Sequence, residues 1–435
     1  MTITFVGHGY VGLVSATVFA DLGNTVWVIG HTPEKIENLK KGILPIYEPG
    51  LEEMVIRNVK AGRLLFTLDY TESIPNSDVV FSAVGTPPLP SGEADLSVIY
   101  DVAEKIAKHL DGYTVVVTKS TVPMGTNAKI KEIIEKEKSE KAEFDMASVP
   151  EFLREGQAIG DTLHPDRVVI GSTSDRAKKI LTDLHRPIIE KNGGKLVLTN
   201  IETAEMIKYA SNAFLATKIS FANAIALLSE KSGANGPDVL TAVGLDKRIG
   251  SYFLNAGAGY GGSCFPKDVK ALISIAKEYD YEFKLLKDVE EVNKEAMLGI
   301  VKKITQTLGN VDGKTIGVLG LAFKPDTDDM RDAPSRTIIP ELLKMGAKVK
   351  AYDPIAMQNA KKLPEFKGLT FSENAKDVAT DAAVLVLLTE WNEFKELDMS
   401  SMKKLMTGIT LIDGRNIYEP EKMKAIGLTY IGVGR

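Results

Sequence analysis

From residue 2 to about residue 200, short apolar runs alternate with helix-like stretches. The runs are Thr2–Val6, Thr25–Ile29, Val79–Val84, Thr114–Thr118, Met146–Val149 and Arg167–Ile170. They are nearly continuous in apolar character, which predicts strands buried on both faces, in a parallel sheet covered by helices. A second alternation begins at Gly313 and passes through Val349–Tyr352, Ala383–Leu388 and Thr410–Ile412. The texture between the two series differs. Residues 202–232 contain neither Pro nor Gly and predict one long helix ending at Gly233, and a second long helix is expected over about 284–308. The stretch Ala213–Leu228 is apolar nearly all round, so burial is expected there, at an interface between subunits. The pattern therefore predicts an α/β chain of two doubly wound domains, 1–200 and 311–435, joined by a central helical region, 201–310.

Composition narrows the partners. A chain of 435 residues, 44% hydrophobic, is long enough for two or three packed domains. A net charge of −5 offers no pervasive basic field, so nucleic acid is not expected as a partner. No run of about 18 uncharged apolar residues exists, because Lys218 interrupts the richest stretch, so no membrane span is expected. The N-terminus carries no basic segment and enters a strand pattern at once, so no signal peptide is expected. A single cysteine cannot form an internal disulfide, which fits a reducing cytoplasm. Five scattered histidines predict no metal site.

Gly7-His-Gly-Tyr-Val-Gly12 follows the first strand and opens a helix, the G-x-G-x-x-G pattern in its proper context. Gly7 serves the tight turn, Gly9 lets backbone approach a pyrophosphate, and Gly12 lets helix pack close to strand. Tyr10 and Val11 start the helix, whose free N–H groups and dipole favour phosphate. The first domain is therefore expected to be a Rossmann-like dinucleotide-binding domain. An acidic residue should close the second strand and bind the adenosine ribose. Here that strand ends in Gly30, followed by His31, Thr32 and Lys35. NAD is the expected cofactor, and the missing acid leaves NADP equally admissible at that end.

The one cysteine sits in Gly259-Tyr-Gly-Gly-Ser-Cys264-Phe-Pro-Lys267-Asp268. Pro266 marks a helix start. A thiol near a helix N-terminus with Lys267 beside it has reason for thiolate character. An isolated cysteine is more often a small buried hydrophobe, but the glycine-rich approach favours a nucleophile. Glu151 and Glu155, in Pro150–Gly156, follow a strand end where doubly wound folds place ligands. They would share a face if that segment were helical, and alone they would read as a solvated pair. Lys208 and Asn212 lie four apart on the long helix and have the chemistry to stabilise an oxyanion.

These segments together resemble the UDP-glucose/GDP-mannose dehydrogenase family. The resemblance runs the whole length and rests on an ordered series of motifs. They are Gly7–Gly12, Val84–Pro87 with Asp95–Ser97, Lys119–Pro123, and Pro150–Gly156 with Pro165–Arg167. Glu205–Phe214, Gly261–Asp268, Gly320–Lys324 with Asp332–Ser335, and Asp413–Arg415 complete the series.

The resemblance implies a C-terminal Rossmann-like domain for a UDP-sugar. It also implies oxidation of a nucleotide sugar's C6 alcohol to a carboxylate, with two oxidised cofactors consumed. Cys264 would carry a thiohemiacetal and then a thioester. UDP-glucose is the expected substrate, with GDP-mannose or a UDP-N-acetylhexosamine as rivals. Lys208 and Asn212 match an oxyanion-stabilising pair, and Asp268 a carboxylate in proton transfer. Thr121 and Glu155 match positions holding the reactive water and touching the nicotinamide, and Glu151 an acid/base in hydrolysis. On the cofactor side Lys35, Thr86, Cys264, Lys267 and Arg331 join the glycine loop. For the sugar nucleotide, Phe152, Leu153, Phe253, Leu254, Asn255, Gly261, Phe323, Lys324 and Arg415 match alongside Glu151, Lys208 and Asn212. Arg248 matches an arginine supplied across a homodimer that meets through the central helix. Two other readings predict different behaviour. A hydroxyacid dehydrogenase would stop at the carbonyl without needing the thiol, and a non-catalytic sensor would bind without reducing any cofactor.

Overall fold

The computed structural model describes residues 1–435, with every side chain but that of Asn192. The chain packs into two units. The first comprises Met1–Ser211 with Lys270–Tyr279, and the second Asn212–Val269 with Asp280–Arg435.

The first unit holds an eight-stranded sheet of β1 (Thr2–Val6), β2 (Thr25–Ile29), β3 (Leu64–Thr67), β4 (Val79–Ser82), β5 (Tyr113–Thr118), β6 (Glu143–Ser148), β7 (Arg167–Gly171) and β8 (Lys195–Thr199). Its order is β3-β2-β1-β4-β5-β6-β7-β8. The first six strands are parallel and follow the doubly wound dinucleotide-binding order. Continuous apolar strands are used as expected. Val79, Phe81, Val115 and Val117 pack into one core layer, whereas Val80 and Val116 face a second layer on the opposite side. Phe5 and Phe81 stack at 4.6 Å in the first layer.

The Arg167–Ile170 run departs from the all-parallel expectation. β7 meets β6 antiparallel at the single pair Ser148↔Gly171. Between them the chain has only the short helix Ala158–Leu163, too little for the crossover that returns a strand parallel to its neighbour. The 18-residue helix Asp175–Asn192 then supplies such a crossover, and β8 runs parallel to β7.

The second unit repeats the topology. Strands β9 (Thr315–Leu319), β10 (Lys348–Tyr352), β11 (Thr370–Phe371), β12 (Val384–Leu387), β13 (Thr410–Asp413) and β14 (Thr429–Ile431) are ordered β11-β10-β9-β12-β13-β14. All are parallel. Asp353 anchors this unit. One of its carboxylate oxygens accepts from the N–H groups of Leu321 and Ala322, and from the Trp391 indole at 3.1 Å.

The long helix runs Ile201–Ser232 and ends at Gly233, whose φ of +77° closes it in the left-handed region. Tyr209, Ala213, Ala216, Ala222 and Ala226 are buried, but Phe214, Phe221 and Leu228 are 66%, 51% and 60% exposed in the single chain. Within the single chain burial follows one face, because small alanines let that side approach the core while the large residues project opposite. By length and composition alone this helix would cross a membrane; its alanine face instead packs in the hydrophobic core. The second long helix spans Lys284–Leu308.

Candidate functional site

The glycine loop is built as its pattern requires. Gly7 has φ +121°, and a Cβ there would lie 2.5 Å from the Ala83 carbonyl oxygen. A Cβ on Gly12 would lie 2.1 Å from the Gly7 carbonyl oxygen, whereas nothing lies within 4 Å of one on Gly9. The turn is closed on two sides and open over Gly9, the fit a pyrophosphate needs, and the helix Tyr10–Asp21 starts directly behind it. Tyr10 donates to Glu48. Buried Glu48 also accepts from the N–H groups of Gly156 (2.6 Å) and Ala158 (2.7 Å), so it ties the Pro150–Gly156 segment to the phosphate helix. Sequence reading passed over Glu48; its one signal was its place in the polar turn Tyr47-Glu48-Pro49-Gly50.

Thr86 and Thr121 lie in the loops after β4 and β5. They meet through the Thr86 hydroxyl, which donates to the Thr121 carbonyl at 2.9 Å. The Pro150–Gly156 segment is not helical, so Glu151 and Glu155 do not share a helix face, and both are buried instead. Glu151 pairs with Lys208 at 2.9 Å, with side chains 7% and 4% exposed, and its second oxygen accepts from the Leu153 N–H. A buried pair of this kind excludes the solvated-pair reading. Phe152 packs its ring under Arg167 at 3.8 Å, and Lys208 lies 5.4 Å from the same ring.

A third charge belongs to this cluster. Lys119 follows β5 and is 7% exposed, with its ammonium 6.0 Å from the Phe81 ring. Burial pushes its pKa down to about 8; Glu151 opposes that shift and Lys208 adds to it. Lys119 opens the Lys119–Pro123 motif, which alone gives it no site role. A lysine at the end of the apolar run Tyr113–Thr118 was the available signal. Nearby His185 is pushed down to about 4, first by burial and then by Lys119. Glu205, also buried, accepts from the N–H of Gly125 and from both the backbone and side chain of Asn127. It thereby pins the start of the long helix to the loop after β5. Burial raises its pKa despite these donors.

In the second unit Cys264 is partly exposed and precedes the helix Phe265–Glu278. Its carbonyl accepts from the Asp268 N–H at 2.8 Å, which makes Cys264 the residue that opens the helix. Its Sγ lies 3.5 Å from the Ser263 hydroxyl. Asp268 is fully buried and accepts from Asn212 Nδ2 at 2.6 Å and from Lys267 Nζ at 2.6 Å. The Lys267 charge, expected to aid the thiol, is thus paired with Asp268.

The other expected ligand positions vary in setting. Phe253 holds φ +63°, a strained conformation for an aromatic residue, and its ring meets Phe265 edge-on. Leu254 is buried and Asn255 exposed. Gly261 is closed against backbone, since a Cβ there would lie 2.2 Å from the Asp332 carbonyl oxygen. Arg415 donates to the carbonyls of Leu388 (2.7 Å), Gly259 (3.1 Å) and Phe323 (3.4 Å), so it clamps the glycine-rich loop and the Phe323–Lys324 segment. Arg331 and Arg248 are exposed and paired with Asp329 and Asp246, respectively. Lys35 is exposed in the first turn of the helix Pro33–Lys40.

Comparison with known proteins covers the whole chain. Residues 1–189 match the UDP-glucose/GDP-mannose dehydrogenase family, NAD binding domain; 202–295 its central domain; and 317–420 its UDP binding domain. UDP-glucose 6-dehydrogenase TuaD of Bacillus subtilis is 48% identical over 433 residues, covering 100% of this chain and 93% of that protein. The UDP-glucose 6-dehydrogenase of Rhizobium meliloti is 48% identical over 439 residues, with 100% of both chains covered. Among solved structures, a UDP-glucose dehydrogenase from the archaeon Pyrobaculum islandicum superposes with a TM-score of 0.92 at 37% identity, covering 100% of this chain and 97% of that one.

Proposed function

We propose that this chain, which belongs to the UDP-glucose/GDP-mannose dehydrogenase family, oxidises the C6 alcohol of UDP-glucose to the carboxylate of UDP-glucuronate. The observation that carries the reading is the kind of groups that each unit presents. A partly exposed cysteine opens a helix, a buried carboxylate is held by Asn212 and Lys267, and Lys208, on the helix that carries Asn212, pairs with buried Glu151. An oxidoreductase that stopped at a carbonyl would need no such thiol. The names borne by the relatives support the choice of sugar nucleotide.

A nicotinamide dinucleotide, when bound, would supply a hydride acceptor for each of the two oxidations, a second oxidised molecule taking the place of the first. The chain's own residues do the rest. Gly7, Gly9 and Gly12 hold the pyrophosphate against the helix start. As the first hydride leaves C6, the hydroxyl proton passes through a water to Asp268. Cys264 Sγ then adds to the C6 aldehyde to form a thiohemiacetal. Lys208 and Asn212 donate to its oxygen, where negative charge develops. Loss of the second hydride leaves a thioester on Cys264. Water, held by Thr121 and Glu155 and deprotonated with help from Glu151, attacks the thioester carbonyl. The C–S bond breaks, so the carboxylate takes its new oxygen from water and Cys264 leaves as thiolate. Phe152, Leu153, Phe253, Leu254, Asn255, Gly261, Phe323, Lys324 and Arg415 hold the sugar nucleotide. Two chains pair across the exposed Phe214, Phe221 and Leu228 face of the long helix, and Arg248 reaches the partner's substrate.

The test supplies a limiting, known amount of UDP-glucose with excess NAD or excess NADP and counts reduced nicotinamide at completion. Two equivalents per sugar are expected. One equivalent would replace the reading with a two-electron oxidation, and none would move the substrate to GDP-mannose or an N-acetylhexosamine nucleotide.

A further inference from the structure

The adenosine end of the cofactor cradle departs from the usual plan. β2 ends at Ile29, and the Gly30 N–H bonds to the Thr67 carbonyl at 3.0 Å. A dinucleotide site for NAD places a carboxylate here to accept from the ribose hydroxyls. This chain has no side chain at that point and little room for one. A Cβ on Gly30 would lie 2.5 Å from Ile36 Cδ1 and 3.0 Å from His8 Nδ1. His8 is 5% exposed, and its Nδ1 has no hydrogen-bond partner among the described residues. The space an acidic side chain would start from is taken by the Ile36 side chain, with the His8 imidazole beside it.

The surroundings hold ring nitrogens, a hydroxyl and one ammonium. His31 lies with its ring centroid 5.0 Å from that of His8. Lys35 stands exposed in the first turn of the helix Pro33–Lys40, and no ion pair engages it among the described residues. Thr32 occupies the position before that helix without using its hydroxyl to cap it. The charged neighbours that act on His8 are His31 and Lys35. The acid nearest in sequence, Glu34, adjoins Lys35 on the helix and so projects about 100° away from it.

Resting on the reading that Gly7–Gly12 binds a dinucleotide, we propose that this end of the site selects the 2′-phosphorylated ribose of NADP over the free ribose of NAD. His31, Thr32, Lys35 and the helix start act as the phosphate's partners. Glycine at the end of β2 offers no acceptor to a ribose diol, so NAD loses the bonds that normally hold it. A phosphate dianion gains a helix N-terminus, a hydroxyl and an ammonium, and meets no opposing carboxylate at position 30.

The test is calorimetric titration of the full-length enzyme without sugar. NADP is compared with NAD, and adenosine 2′,5′-bisphosphate with adenosine 5′-monophosphate, a pair that differs only at the 2′ position. In each pair the 2′-phosphate should bind about tenfold tighter or more, the ratio one charge-assisted hydrogen bond supplies. That advantage should shrink as salt is raised. Lys35→Ala, an exposed change that leaves the core untouched, should weaken NADP and adenosine 2′,5′-bisphosphate by more than it weakens NAD and adenosine 5′-monophosphate. Equal or tighter binding of the unphosphorylated member, or equal weakening of both members by Lys35→Ala, would overturn the proposal. Because no sugar is present, that failure would leave UDP-glucose oxidation standing, and a failure to oxidise UDP-glucose would leave the binding preference standing.

Discussion

Replacing Lys119 by methionine should make the protein more stable at neutral pH, and the gain should vanish in alkali. The side chain is 7% exposed, and its pKa falls from the ordinary 10.5 to about 8, chiefly through burial. At pH 7 the folded chain holds an ammonium that its surroundings disfavour, and that displacement corresponds to about 3 kcal/mol. Methionine is similar in volume and needs no hydration. Above pH 8 the folded lysine sheds its proton while the unfolded one keeps its own up to 10.5. In that window the unfolded chain binds more protons, so wild-type stability rises with pH and the variant's advantage closes. Urea denaturation of both proteins at pH 7 and near pH 10 reads the two differences. Glu151 keeps Lys208 at 2.9 Å in the variant, so no charge is orphaned. Equal stability at pH 7, or a difference that ignores pH, would refute the reasoning. A fall in turnover beside the gain in stability would mark a lysine retained for chemistry.

Three further variants probe the remaining links. Cys264→Ser should still permit a first oxidation but block acid formation, lowering reduced nicotinamide toward one equivalent per sugar; full acid formation would exclude covalent catalysis. Lys208→Ala should lose about 2.7–4 kcal/mol of transition-state stabilisation, seen as a fall in kcat, and an effect confined to KM would argue against an oxyanion role. It should also lower stability, by less than the about 3–5 kcal/mol of a fully orphaned buried charge, because Glu151 loses its 2.9 Å partner but keeps Lys119 in the same cluster. Glu48→Ala strands the N–H groups of Gly156 and Ala158 and should cost about 2–4 kcal/mol in denaturant titration. Unchanged stability would mean that those groups find other partners.

Much of the scaffold was legible because it rests on local pattern. Strands such as Thr2–Val6 and Thr25–Ile29 carry apolar residues on both faces, which only a sheet covered on both sides can satisfy. Of the long helices, Ile201–Ser232 holds neither Pro nor Gly and Lys284–Leu308 holds no Pro and the single glycine Gly299, and they stop beside Gly233 and Gly309. Short strands such as Thr370–Phe371 and Thr429–Ile431 escaped notice because two or three residues carry no period. The antiparallel β6–β7 contact escaped because it follows from the length of an intervening loop.

The site was legible in its residue types and illegible in its pairings. Glu151 and Lys208 lie far apart in sequence, and nothing local to either says that one neutralises the other. Glu151 and Glu155 were weighed as a surface pair because four-residue spacing means something only on a helix, and this segment is not one. What the fold adds is a charge balance. Lys119, Glu151 and Lys208 are all buried in the first unit, and Lys119 and Glu151 follow the carboxyl ends of β5 and β6, where a doubly wound sheet presents its ligands. With both lysines protonated the three sum to one positive charge, held where water screens it poorly. A group so placed is costly in the resting protein and most useful when negative charge develops beside it. That asymmetry is why the cluster points to an oxyanion in the reaction rather than to a structural salt bridge.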